Sequence, residues 1–195
     1  MKNLRCMGGA LVLLAVSISG CGYNSLVGAD EEVKAAWGQV ENVYQRRSDL
    51  VPNLVATVKG SAAHEQNTLA AVTQARAQAT AVKLSAADLS DPAKLRAFEQ
   101  VQGQLSQSLG RLLGIVESYP DLKANAGFRD LQVQLEGTEN RIAVERRRYN
   151  EAVQSYNTQV RAFPSLISAK LFGFKTKEPF HATTAGAERA PEVKF

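Results

Sequence analysis

From Val33 onward the apolar residues step by four and three: Val33, Trp37, Val40 and Tyr44, then Val51, Leu54 and Val58. That alternation is a coiled-coil seam, and it commits the segment to a long helix that buries one stripe against partners. The slot between Tyr44 and Val51 belongs to Arg47. A guanidinium in a seam position needs a carboxylate from a neighbouring helix, so one charged layer is expected inside an otherwise apolar interface. Pro52 falls in the same run and removes a backbone donor, which predicts a kink near Ser48 to Pro52 rather than an end. Gly60 closes the segment.

Three further helices follow from the same periodicity. One runs from about Ala63 to Lys83 with Leu69, Val72 and a face of alanines suited to close packing. Residues 84–91 lose the period and end in Ser90-Asp91-Pro92, a capping residue ahead of a first-turn proline. The third helix carries Phe98, Val101, Leu105, Leu109, Leu112, Val116 and Tyr119, and Tyr119-Pro120-Asp121 stops it. The last, about Leu122 to Ala162, carries Phe128, Leu131, Leu135, Ile142, Tyr149, Val153, Tyr156, Val160 and the adjoining Phe163, until Pro164 interrupts. At 1.5 Å per residue the first and last helices reach roughly 50 and 60 Å and the middle pair about 30 and 40 Å. Short connections make neighbours antiparallel. The expectation is an all-α fold, an elongated antiparallel four-helix bundle with longer first and last helices, in which Val33 and Trp37 meet Val153, Tyr156 and Val160. After Phe174 a polar tail with Pro179 and Pro191 is expected to be extended or loose.

Upstream of the seam, Lys2 and Arg5 precede an apolar run from Cys6 to Ile18, and Ser19-Gly20 supplies small residues just before Cys21. The layout is that of a signal peptide. A cysteine directly after the small pair is the pattern of a bacterial lipobox, in which Cys21 takes a diacylglyceryl group on sulfur and, after cleavage, an acyl chain such as palmitate on its amine. The run is short of the roughly 20 apolar residues that span a bilayer. The chain therefore divides into a lipoprotein signal peptide (1–20), a helical domain (21–174) and an extended C-terminal tail (175–195). Gly22 stands where an aspartate would favour inner-membrane retention in enterobacteria, so a periplasm-facing protein on the outer membrane is expected.

Removing residues 1–20 leaves 21 basic residues against 19 acidic ones. So small an excess gives no case for nucleic acid. Cys6 leaves with the signal and Cys21 is consumed by lipid, so the body has no thiol for a disulfide, a metal or a nucleophile. Ala, Gln, Leu, Val, Glu and Arg dominate, a helix-forming composition.

Several segments have a familiar order. Gly22-Tyr23-Asn24-Ser25-Leu26 precedes Asp30-Glu31-Glu32-Val33-Lys34-Ala35-Ala36-Trp37. Then come Gln45-Arg46-Arg47, Asp49-Leu50, Pro52-Asn53-Leu54-Val55, Tyr119-Pro120-Asp121-Leu122-Lys123-Ala124-Asn125 and Glu136-Gly137-Thr138-Glu139-Asn140-Arg141-Ile142-Ala143. Tyr149-Asn150-Glu151-Ala152-Val153 and Leu171-Phe172-Gly173-Phe174 complete the series. From Gly22 to the C-terminus the chain resembles the LemA family. The resemblance implies a membrane-attached, mostly helical protein facing away from the cytoplasm, with no established enzymatic activity. Relatives are associated with the envelope and, in magnetosome-forming bacteria, with organelle membranes. Many members keep the N-terminal segment as a transmembrane helix, whereas this one has the lipobox.

The densest polar cluster comprises Arg46, Arg47, Asp49 and Asn53 on the first helix with Glu136, Glu139, Asn140, Arg141 and Arg146 on the last. Glu139 or Glu136 could reach Arg47 across antiparallel helices. The network either fixes register between two long helices or binds an anion or lipid headgroup at the proline kink. No catalytic, metal or cofactor-binding residue is expected. His64-Glu65 lacks the second histidine of a zincin helix, no Glu-x-x-His pair falls on an expected helix, no phosphate loop occurs, and His64 reads as a solvated residue near a turn. Leu171, Phe172, Phe174 and Lys175, with Ile167, Lys170 and Lys177, combine apolar and basic character, and either touch the membrane or close the end of the bundle. Val193 and Phe195 alternate up to a free carboxylate, which suits a groove that adds a strand, or a loose end. The expected role is a lipid-anchored scaffold or adaptor with envelope protein partners and scope for self-association, or, alternatively, an anion- or headgroup-sensing module.

Overall fold

The structure, a computed structural model, describes residues 2–61 and 65–181, with side chains from Gly22 to Gly60 and from Glu65 on. Among the described residues there are six α-helices and no strand: α1 (Lys2–Ser61), α2 (Gln66–Ala81), α3 (Pro92–Val116), α4 (Pro120–Ala124), α5 (Ala126–Arg161) and α6 (Ser165–Phe172). A single 3-10 turn, Asp88–Ser90, precedes α3. The architecture is all-α, with α1 packed along α5, α2 along α3, and α2 also against α1. Its first and last long helices are the longer ones, as expected.

Contacts along α1 and α5 show their direction. Ser25 Oγ donates to Gln159 at 2.8 Å, Trp37 meets Tyr149 with ring centroids 5.5 Å apart, and Arg47 reaches Glu139 at 2.9 Å. Numbers rise on one helix as they fall on the other, so the pair is antiparallel in one unbroken register. The repeat explains why: Phe128, Leu135, Ile142, Tyr149 and Tyr156 stand seven apart on α5 and all are buried. The α2/α3 pair is likewise antiparallel, since Gln102 Nε2 donates to the Ala79 carbonyl and Tyr119 Oη to Glu65.

The buried apolar side chains form two clusters. The first joins α1 from Leu26 to Tyr44 with α5 from Ile142 to Val160, and adds Leu89, Leu95, Phe98, Ala169 and Phe180. The second joins Val51, Leu54 and Val58 with α2, the later part of α3, Leu122, Phe128 and Leu135. Arg47 falls between them, and it is 1% exposed.

As expected, Pro52 does not end α1, which runs on to Ser61, whereas several other boundaries differ from the sequence reading. The carbonyl that Pro52 leaves without a helical donor, that of Ser48, accepts from Arg76 Nε of α2 at 2.7 Å. The expected last helix is two: Asn125 caps α5 by accepting from the Phe128 amide at 3.1 Å, and α4 stands before it with Pro120 in its first turn. The cap expected before α3 is present, with Asp91 accepting from Ala93 and Lys94. On α3 the stripe takes Gln102 into the core in place of Val101, which is only partly buried. Phe163 is not part of the α5 seam; it lies past the helix end and is 81% exposed.

α6 and the segment after it have no counterpart in the periodicity argument. α6 ends at Gly173, whose φ of 75° is a left-handed cap open to glycine at no steric cost. Residues 175–181 then form a strap without regular secondary structure that hydrogen-bonds along α5.

Candidate functional site

Arg47 is held by groups from two other helices, α3 and α5. Nη1 donates to Ser106 Oγ at 2.7 Å and Glu139 Oε1 at 2.9 Å, and Nη2 to Gln102 Oε1 at 2.6 Å and the Gln102 carbonyl at 3.2 Å. Gln102 in turn donates to the Ala79 carbonyl. One side chain thereby links α1 to α3 and α5 directly and to α2 at one remove. The guanidinium also lies over the Tyr44 ring, 5.0 Å from its centroid, while its Nε has no partner among the described residues. Burial pushes the Tyr44 hydroxyl above its ordinary range, against the opposing pull of Arg146 and Arg47. Such a layer stabilises one register because any slip would strand a buried charge.

Of the other residues singled out on α1 and α5, only some join this layer. Arg146 pairs with Glu99 of α3 at 2.9 Å, donates to the His181 carbonyl at 2.8 Å and stacks over Phe180 at 4.5 Å. Asp49 accepts from Gln45 on its own helix, as Glu136 does from Gln132. Arg141 lies 3.5 Å from Glu145, again within one helix. Arg46, Asn53 and Asn140 are exposed. The cluster is therefore not one assembly: heptad offsets put its members on several faces.

The partners on α3 were missed, although their spacing carried a signal. Phe98, Gln102, Leu105 and Leu109 step by four, three and four, so Gln102 occupies a seam slot as Arg47 does. A groove of about 310 Å³ opens beside this layer, lined by Arg47, Glu99, Gln102, Ser106, Glu139 and Arg146 among others. Two guanidinium groups face two carboxylates there. Among the described residues no three His, Cys, Asp or Glu side chains gather as a metal site.

The other half of α5 organises the chain past α6. Tyr149-Asn150 and Tyr156-Asn157 repeat at seven residues. Asn157 accepts from the Lys177 amide and donates to the Lys177 carbonyl, both at 2.8 Å. Asn150 treats Phe180 the same way, at 2.8 and 3.0 Å. The tyrosine hydroxyls donate to the carbonyls of Lys175 and Glu178. Two turns of helix rise about 10.5 Å and three extended residues span about 9–10 Å, so a seven-residue repeat on the helix matches a three-residue repeat on the strap. Phe180 completes the docking, stacked on Trp37 and edge-on to Tyr149. Burial raises both tyrosine pKa values, that of Tyr156 to about 12.

At the end where α1 carries Cys21, the surface is apolar. Tyr23 contacts Phe172 and Phe174 at centroid distances of 4.7 and 5.9 Å. Leu171 is 74% and Phe172 57% exposed, Lys170 and Lys175 are exposed, and Phe174 is half-buried. Lys177 does not belong to this surface. It is buried over the Tyr156 ring, 3.5 Å from Asp30, and donates to the Ala86 carbonyl. Among the described residues no helix is long and apolar enough to cross a membrane. The Cys21 side chain, His64, Val193 and Phe195 lie outside the described residues.

The chain is 29% identical over 184 residues to the magnetosome protein MamQ of Magnetospirillum gryphiswaldense, covering 84% of this chain and 66% of that protein. It is 28% identical over 180 residues to magnetosome protein MamQ 2 of Paramagnetospirillum magneticum, with the same coverage. Protein LemA of Metamycoplasma hominis is 24% identical over 140 residues, 72% of this chain and 60% of that one. The chain thus spans slightly less than two thirds of the length of these relatives. The profile of the LemA family matches residues 36–195, which takes in α1 from its seam, the Arg47 layer and everything after it. The chain belongs to the LemA family.

Proposed function

We propose that this protein is a lipid-anchored helical scaffold or adaptor of the bacterial cell envelope, attached through Cys21 and facing the periplasm, with the outer membrane favoured. The observation that carries the reading is the continuity between anchor and body. α1 is one helix on both sides of Cys21, and the first residues after it are already packed: a Cβ on Gly22 would lie 3.4 Å from Ser168 Oγ, and Leu26 is fully buried. An acylated Cys21 would therefore hold a stiff body with no linker, and multiple acyl chains would make release slow. Such a body acts by presenting surfaces to protein partners at a fixed distance from the membrane. Membership of the LemA family and similarity to magnetosome proteins support a role at membranes.

Intact mass and membrane partitioning, wild type beside Cys21→Ala, test the anchor. Wild type is expected to gain diacylglyceryl and acyl masses on a chain starting at residue 21, and Cys21→Ala to stay unprocessed. Two unmodified, full-length chains would overturn the lipoprotein assignment. Cross-linking from the wild-type membrane fraction then identifies partners or self-association.

A second reading, an anion or headgroup sensor at the Arg47 layer, draws on the groove and the unpartnered Arg47 Nε. Glu99 and Glu139 already neutralise the two arginines facing it, so the groove offers an anion little net charge. Thermal stabilisation by phosphate that is lost in Arg146→Gln would revive it.

A further inference from the structure

α6 is packed inside out. It buries Ser168 and Ala169 against the bundle and turns Ile167, Leu171 and Phe172 to solvent at 59%, 74% and 57% exposure, with Phe163 just ahead of it at 81%. A helix stabilised only by its own bundle would be arranged the other way, since a large apolar side chain left in water forgoes the gain of burial. The reason for the inversion is visible at the contact. Gly22 of α1 lies against Ser165 and Ser168, so only small residues fit between the two helices.

Charge along this stretch of the chain is one-sided, although Asp30 and Asp91 of other elements line the cavity beside Phe172 and Lys175. No Asp or Glu occurs between Glu151 and Glu178, whereas Arg161, Lys170 and Lys175 are all exposed. Lys177, the fourth base, is withdrawn into its pairing with Asp30. A large apolar face rimmed by bases is the pattern of a helix that lies in a membrane interface carrying anionic headgroups. Its position selects the same occupant: the residue α6 touches, Gly22, is the neighbour of Cys21 on one continuous helix.

We propose that α6, with Phe163 and Tyr23 beside it, is an interfacial helix that lies in the anionic surface of the membrane to which the N-terminal segment is attached, giving the body a second contact that fixes its orientation. The inference rests on membrane attachment near residue 21 but not on its chemistry. An acylated Cys21 and an uncleaved apolar segment bring α6 to the same surface, so loss of the lipoprotein assignment leaves it standing.

The test uses the full chain reconstituted in vesicles of phosphatidylcholine with or without phosphatidylglycerol, carrying an environment-sensitive fluorophore on Leu171→Cys. The same fluorophore on Val133→Cys, an apolar position 67% exposed on α5, is the control. Probe emission at 171 is expected to shift to the blue and to be quenched by spin-labelled lipid, more strongly with phosphatidylglycerol, while 133 stays as in water. Lys170→Glu with Lys175→Glu is expected to abolish the phosphatidylglycerol dependence without altering the helical circular dichroism. Two results overturn the proposal: equal, water-like emission at both positions, or a shift at 171 that vanishes at one protein per vesicle, which would mean contact between copies.

Discussion

The two halves of the bundle are built on the same heptad and stabilised by different means. On the Cys21 side of Arg47 the core is aromatic: Trp37 touches Phe98, Tyr149 and Phe180, and Tyr44 lies edge-on to Phe98. It is closed by a segment from the far end of the sequence, tied down through side-chain amides. On the other side the core is Leu, Val and Ala with Phe128 as its one fully buried ring, and no strap covers it among the described residues. Aromatic edges and amide pairs are directional, so the first half has essentially one arrangement. Aliphatic packing between short helices tolerates volume-conserving exchange. The half nearest Cys21 is thus the one built for fixed geometry, as the orientation proposed above would require.

The largest expected break comes at Trp37. Trp37→Ala removes the ring that joins α1, α3, α5 and the strap, and should cost about 3–5 kcal/mol in denaturant unfolding. Hydrogen exchange should show the loss concentrated between Leu26 and Tyr44 and in the strap. Equal loss of protection in α2 and late α3 would mean that the two cores open as one unit. Trp37→Phe should be much milder, because it also removes an indole N–H buried without an acceptor.

Arg47→Met comes next. It leaves Gln102 and Glu139 without their shared donor, and a cost of about 2–4 kcal/mol is expected, toward the lower end for a broken buried pair because Glu139 keeps water access at 39% side-chain exposure. The reverse change, Glu139→Gln, keeps an acceptor for Nη1 but takes the carboxylate from a guanidinium that is itself 1% exposed, so about 1–3 kcal/mol is expected, less than for Arg47→Met. Similar costs for both would show that the carboxylate, rather than the Gln102 and Ser106 contacts, holds the guanidinium.

That asymmetry bears on what the sequence could convey. The four long helices, their order and their antiparallel pairing were largely legible because a seven-residue repeat constrains them locally, and Arg47 stood out as a charge in a seam slot. Its carboxylate partner could be named from antiparallel register alone. Gln102 was legible only through its seam slot and Ser106 not at all, since polar residues on α3 become core only once α3 is known to face α1. The strap was opaque for a related reason: Asn150 and Asn157 read as surface residues until an extended segment is laid across them. α6 is illegible by periodicity because its buried residues are the small ones.

The strap supplies a smaller effect. Asn150→Ala and Asn157→Ala each delete a paired donor and acceptor, at about 1–3 kcal/mol each. Loss of protection at the Lys177 and Phe180 amides should exceed any change in α2. The two tyrosines make this region sensitive to alkali. Tyr156 titrates near 10 unfolded and about 12 here, so its contribution is complete below pH about 10 and is lost as pH rises from there through 12. Tyr156→Phe should flatten that decline relative to wild type, with unfolding compared at pH 8 and 11. An unchanged decline would assign it to other groups, first of all the buried Tyr149 and Tyr44.

The smallest effect is the most discriminating about α1. A proline inside a helix ordinarily costs about 3 kcal/mol relative to alanine. Here the carbonyl it strands is not idle, because Arg76 Nε occupies it at 2.7 Å. Pro52→Ala should therefore gain only about 1 kcal/mol, since the new amide must share the Ser48 carbonyl with Arg76 or displace it. A double-mutant cycle with Arg76→Met isolates the point. If Arg76 is there to satisfy that carbonyl, its removal costs more in wild type than in the Pro52→Ala background, where the helix supplies its own donor. Equal costs in the two backgrounds would make the arginine a general contact between α1 and α2, and the proline a defect that nothing in α2 relieves.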